Sequence, residues 1–116
     1  MDQFSKTKFH MVREYRAQST NKYWEPDNTS GEYVVIYPNG TKRWYKDGLE
    51  HRDNGPSVEF ANGDKWWYVN NKLHRTDGPA VEYAFGAKRY FYENEEYSDI
   101  KSNDEWINFI KLRFLW

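Results

Sequence analysis

The chain copies itself at a fixed interval, and nothing else in it restricts the fold as much. "HRDNGPSVEFANG" runs from His51 to Gly63, and "HRTDGPAVEYAFG" follows 23 residues later, from His74 to Gly86. At the same offset Lys42 falls on Lys65 and Lys88, Trp44-Tyr45 on Trp67-Tyr68 and Tyr90-Phe91, and Gly40 on Gly63 and Gly86. A half unit, "SGEYVVIYPNG", precedes the first full one, with Val35 and Tyr37 in the places of Val58 and Phe60. Such a period means one supersecondary unit stacked on copies of itself, since a single unit cannot bury its apolar face alone.

Turn residues say what the unit is. Asn39-Gly40 and Asn62-Gly63, flanked by alternating aromatic and polar residues, predict two-residue type I′ hairpins, whose central positions both need positive φ. Asp47-Gly48 predicts a further turn within the unit, and Asn70-Asn71 a weaker one. Gly55-Pro56 and Gly78-Pro79 interrupt the strand, because proline donates no ladder hydrogen bond. The expected fold is mostly β, an antiparallel meander of stacked β-hairpins.

Two-residue turns also dictate register. Trp44 should face His51, Tyr45 Glu50, Trp67 His74, Tyr68 Leu73, Phe60 Lys65 and Val58 Trp67. One side of the sheet then carries Val35, Tyr37, Trp44, His51, Val58 and Phe60, continued by Trp67, His74, Val81, Tyr83 and Tyr90, and is taken as the core face. The outer side carries Arg43, Tyr45, Glu50, Arg52, Glu59 and Trp66, continued by Tyr68, Arg75, Glu82, Arg89 and Phe91. This register opposes Arg43 to Arg52, an unfavourable like-charge pair that calls for a bulge.

A meander has two open edges, which invite aggregation unless covered, and the chain ends are read as covers. Ser102-Asn103-Asp104-Glu105 is a capping box, with Ser102 accepting the Glu105 N–H and the glutamate reaching back. Trp106, Ile107, Ile110 and Phe114 follow at helical spacing, predicting a C-terminal helix packed on the sheet. At the other end Phe9, Met11 and Tyr15 fit a strand, while Phe4, Met11 and Tyr15 fit a helix face. The expected division is an N-terminal cap over 1–29, hairpin repeats over 30–97 and a capping helix within 98–116.

With 116 residues the chain is one domain by length. Its mean hydropathy of -1.12 is low, but six Trp, ten Tyr and seven Phe supply an aromatic core. A formal charge of -1 gives no field favouring nucleic acid or an anionic membrane, although Lys6, Lys8, Arg13 and Arg16 make the start basic and Glu93 to Glu105 is acidic. Zero cysteines exclude disulfides and thiolate chemistry. No stretch reads as a signal peptide or membrane span, so a soluble, cytoplasmic protein is expected.

His51, Arg52 and Asp53, with His74, Arg75 and Asp77, are the candidates for acid–base chemistry. An enzyme ordinarily needs one asymmetric site, whereas a group recurring in phase with the repeat does what every repeat must do. The acid moves one place out of phase between 53 and 77, which a turn tolerates and catalytic geometry does not. Trp44, His51, Gly55 and Pro56, with Trp67, His74, Gly78 and Pro79, are therefore assigned to structure. No paired histidines at ligand spacing suggest a metal, no glycine-rich loop suggests phosphate, and no cofactor is expected. Lys42, Lys65 and Lys88 with nearby aromatics resemble a single-strand platform, but Glu59 and Glu82 dilute the field, making nucleic acid the weaker reading. Arg43, Tyr45, Trp66, Tyr68, Arg89 and Phe91 combine arginine with aromatic planes, the residue types of interface hot spots. They also fit cross-strand packing beneath the chain ends.

"WYKDGLEHRDNGPSVEFANGDK" and "WYVNNKLHRTDGPAVEYAFGAK" resemble MORN-type repeats, sharing the repeat length, the aromatic opening and both turns. They are more similar still to the W-Y-x-N-G-x-x-H-R-x-D-G-P-A variant of tailed-phage and giant-virus proteins. The likeness covers Ser30 to Tyr97, with Glu50 and Leu73 at a place often basic and Asn71 replacing the turn glycine. The resemblance implies an elongated sheet of stacked hairpins and a non-enzymatic role in protein binding. For a viral protein it implies a host partner, for example a defence or regulatory factor. The alternatives are a nucleotide or glycan binder, or a single-stranded nucleic-acid binder, using the aromatic face, and a hydrolase using His51 or His74. A homodimer through the open edges is a further expectation.

Overall fold

The computed structural model describes residues 12–20 and 24–114. Its strands are β1 (Arg13–Arg16), β2 (Glu32–Ile36), β3 (Lys42–Lys46), β4 (Leu49–Glu50), β5 (Val58–Glu59) and β6 (Lys65–Trp66). There follow β7 (Tyr68–Val69), β8 (Lys72–Leu73), β9 (Val81–Glu82), β10 (Lys88–Arg89), β11 (Phe91–Tyr92), β12 (Glu95–Glu96) and the helix α1 (Asn103–Arg113). One sheet runs in the order β1-β2-β3-β5-β6-β9-β10 with β4 on β3, while β7-β8 and β11-β12 are separate ribbons. The fold is thus mostly β, built of antiparallel hairpins and closed by a C-terminal helix.

The turns inside the units are of the primed kind. Asp47 and Gly48, Asn70 and Asn71, and Glu93 and Asn94 all have positive φ, and Tyr45 opposes Glu50 and Tyr68 opposes Leu73 as expected. The Asn-Gly turns differ. Gly40 and Gly63 have positive φ but Asn39 and Asn62 do not. The Gly63 N–H donates to the Phe60 carbonyl, and the Phe60 N–H to that of Asp64, both at 2.9 Å. Three residues, not two, therefore form the loop, with the glycine as the bulge position. Asn39 and Asn62 instead accept the N–H of Thr41 and Asp64 on their side chains.

That extra residue corrects the expected register. Val58 opposes Trp66 rather than Trp67, and Glu59 opposes Lys65. Val35, Arg43, Val58, Trp66, Val81 and Arg89 form one row across the sheet. Arg43 and Trp66 thus share the side of the valines, and Trp44, opposite Val34, takes the other. A slip of one residue exchanges the faces. The Arg43–Arg52 clash does not arise, because the chain leaves the ladder after Glu50 and returns at Val58, which opposes Arg43.

Trp67 and Tyr90 stand between short strands. The Trp67 N–H still reaches the Ala80 carbonyl at 2.7 Å, but the next N–H, of Tyr68, turns to the Ser57 hydroxyl. The sheet bends there, and buried side chains fall into three clusters. Ala17, Tyr33, Val35, Tyr37 and Tyr45 form one; Ala80, Val81 and Phe91 a second; Tyr90, Trp106 and Ile110 a third.

At the N-terminal edge β1 lies parallel to β2, with Tyr15 opposite Val35. Tyr15 takes the strand alternative, while Phe4, Phe9 and Met11 lie outside the described residues. At the other end the Ser102 hydroxyl accepts the Glu105 N–H at 3.1 Å. The Glu105 carboxylate accepts the Lys101 N–H, one residue earlier than a capping box requires. Trp106 and Ile110, one turn apart, are the buried positions of α1, and Ile107 is half-buried. The Trp106 Nε1–H donates to the Arg75 carbonyl at 2.8 Å, and the Tyr90 hydroxyl to Asn103. No helix among the described residues is long and apolar enough to cross a membrane.

Candidate functional site

Each His-Arg constellation can be followed atom by atom. The Arg52 guanidinium lies 3.7 Å from the Trp44 ring centroid and Arg75 4.0 Å from that of Trp67. Both donate at 3.0 Å to a proline carbonyl, of Pro56 and Pro79, and both pair with a glutamate, Glu59 and Glu82. A Cβ at Gly78 would lie 2.7 Å from the Arg75 guanidinium carbon, and one at Gly55 3.2 Å from Arg52. The glycine leaves the space that the arginine occupies.

The histidines join one unit to the next. His51 Nδ1 accepts the Asn70 N–H at 3.3 Å and His74 Nδ1 the Glu93 N–H at 3.0 Å, each at the first central residue of the following turn. The second turn residues, Asn71 and Asn94, exchange hydrogen bonds with the backbone of Glu50 and Leu73. The acids are used differently: Asp53 pairs with His51 Nε2 at 2.7 Å, and Asp77 with Arg75 Nε at 2.9 Å.

The bond from Glu93 needs an unprotonated Nδ1, and burial pushes the His74 pKa below its usual value, with Glu93 pulling the other way. A lowered folded pKa means that the unfolded chain binds the proton first. The contribution of His74 is therefore complete above about pH 6.5, the ordinary histidine value, and is lost as the pH falls through the folded pKa. Urea midpoints measured from pH 8 to pH 5 should fall faster for the native chain than for His74→Asn, whose amide oxygen accepts but does not titrate. Parallel curves would contradict this.

Clefts flank the bends, and they recur with the repeat. One of about 570 Å³ is lined by Arg52 to Gly55 together with Trp67, His74, Arg75 and Asp77. Another of about 390 Å³ is lined by Trp44, His51, Arg52 and Asp53. The second is the first displaced by one unit. Among the described residues no three His, Asp or Glu side chains gather as metal ligands.

A third cleft, of about 660 Å³, does not follow the period. It lies on the row of the valines, across two units, between Arg43, Glu50, Phe60, Trp66, Tyr68 and Asn71. The sheet is therefore concave there. Arg43 donates to Glu50 at 3.0 Å and lies 5.6 Å from the Phe60 ring centroid. Trp66 meets Phe60 edge-on at 5.7 Å and Tyr68 at 6.2 Å. Burial holds the Glu50 carboxyl above its ordinary range despite Arg43, and raises the Tyr68 phenol. Trp66 Nε1 is buried without a hydrogen-bond acceptor, an arrangement that costs about 1–3 kcal/mol.

The six residues expected to bind a partner are divided by the structure. Arg43, Trp66 and Tyr68 line this groove. Tyr45 also borders it but is only 7% exposed, stacked on Tyr33 at 5.1 Å. Phe91 is 6% exposed and packs with Ala80 and Val81, because the bend at Tyr90 turns it inward. Arg89 lies outside the groove, held by Glu96 and the Tyr83 hydroxyl. Sequence reasoning left out Glu25, Glu50, Phe60 and Asn71 from the set. A signal existed for the centre: Trp66 stands where the other units have Arg43 and Arg89. The chain matches no family model, no curated protein and no solved structure.

Proposed function

We propose that this protein is a non-enzymatic binding module whose groove, centred on Trp66, takes an extended segment of a protein partner. The observation that carries the reading is a separation of roles. Residues that recur in phase, the His-Arg-Gly-Pro set, are engaged with the backbone of their own unit, through the arginines, and of the following unit, through the histidines, whereas the groove is built where the repeat is broken. Its contents, aromatic rings around an arginine, are those of interface hot spots. Reading the partner as a host protein of a virus rests on the likeness to phage and giant-virus repeats.

A small ligand is the second reading, favoured by a volume within the usual range of ligand sites and by the convergence of Arg43, Glu50 and Asn71. One experiment separates the readings. Tyr68→Ser and Phe60→Ser should each lose a protein captured by the native chain, while His51→Asn keeps it. Capture unchanged by both groove variants would defeat the proposal, and a bound metabolite released on denaturation would favour the ligand instead.

A further inference from the structure

We propose that the outer edge of β10 accepts an extended acidic segment of another protein as an added strand. The inference stands on the register of the sheet and is independent of the groove. Directly opposed residues alternate across five strands: Lys42 opposes Glu59, Glu59 opposes Lys65, Lys65 opposes Glu82 and Glu82 opposes Lys88. In the adjoining row Val58 lies between Arg43 and Trp66, and Val81 between Trp66 and Arg89. Strands that begin with lysine thus receive a Val-Glu strand on their far side, β5 against β3 and β9 against β6. At each junction an aromatic N–H, of Trp44 or Trp67, donates at 2.7 Å to the carbonyl just before the valine.

β10 is the third strand of this kind, with Tyr90 in the place of the two tryptophans. It ends the sheet order, so among the described residues no strand lies on its outer side; α1 packs on the Tyr90 ring at one end of this edge, and Lys88 at the other end is exposed. Continuing the pattern calls for a small residue, a valine and a glutamate.

Charge selects the occupant. A second copy of β10 laid antiparallel would set Lys88 against Arg89 or against its own counterpart, and like charges directly opposed are unfavourable. A glutamate extends the alternation. Arg89 is already held by Glu96, whereas the Lys88 ammonium reaches the Gly86 carbonyl at 3.5 Å, the limit of a hydrogen bond.

The turn beside this edge is altered as well. Phe85 replaces the asparagine whose side chain closes the two earlier turns. It stacks on Tyr83 at 5.3 Å and is 82% exposed. The turn has given up a local hydrogen bond for an exposed ring, which supplies an apolar anchor beside the acidic position of an incoming strand. Backbone pairing along an open edge with side chains fixing the register is an established mode of peptide recognition.

The test uses the full chain and a synthetic copy of its own strand, "DGPAVEYA" (residues 77–84), with a second peptide carrying lysine for the glutamate. Titration followed by amide resonances should shift Lys88 to Tyr90, with the lysine peptide about tenfold weaker at low salt. Lys88→Glu, at an exposed position, should invert that preference. Phe85→Asn, which restores the turn residue, should weaken both peptides, whereas Tyr68→Ser in the groove should leave them unchanged. Equal affinity for the two peptides, indifference to Lys88→Glu, no binding at millimolar peptide, or sedimentation showing the edge closed by a second copy would each overturn the proposal.

Discussion

Trp106→Ala should destabilise the protein by about 3–5 kcal/mol, the range for removing a fully enclosed tryptophan. Its side chain is 0% exposed and packs with Tyr90, Tyr97 and Phe109 at centroid distances of 5.4 to 5.7 Å. The loss has two parts. The cavity forfeits the contacts of an aromatic ring that the neighbours cannot refill, and the Arg75 carbonyl loses its donor. Urea denaturation of native and variant chains measures the sum. Leu112→Ala, on the exposed side of the same helix, should change stability by no more than about 0.5 kcal/mol. A Trp106 variant as stable as that control would mean that α1 does not close the end of the sheet.

Arg75→Ala comes next, at about 2–4 kcal/mol, and Arg75→Lys should recover less than half of it. One guanidinium stacks on Trp67, donates to the Pro79 carbonyl and pairs with both Asp77 and Glu82. A charge-assisted hydrogen bond contributes about 1.5–3 kcal/mol and a partly desolvated cation on an indole about 0.5–2 kcal/mol, but these overlap and do not add. Lysine carries the charge without the planar fork that permits stacking and donation together. Arg52→Ala, in the equivalent place beside Trp44 and Pro56, should cost a similar amount. Full rescue by lysine would show that charge alone matters and that the stacked geometry is incidental.

Much of this could be read from the residues. The 23-residue period, the hairpins at Asp47-Gly48 and Asn70-Asn71, and the helix after Ser102 were legible because each depends on neighbours along the chain: a positive φ, a short polar side chain, an apolar spacing. The Asn-Gly turns were legible as turns but not as to kind. Asn-Gly suits a two-residue loop and also a three-residue loop with the glycine as bulge, and the choice put Arg43, Trp66 and Arg89, rather than Trp44, Trp67 and Tyr90, on the side of the valines.

Local chemistry along the chain thus decides that this protein is a stack of hairpins and which residues recur in it. What lies outside that reach is whatever depends on a partner distant in sequence. The burial of Phe91, the distribution of the six hot-spot candidates and the contribution of Glu25 to a groove centred on Trp66 belong to this second kind. A repeat can announce what each unit does to the next, since that contact recurs and leaves a mark at fixed spacing. A groove formed where the repeat is broken leaves only the odd residue, Trp66 in an arginine's place, and it exists only once the bent sheet has set the two units side by side.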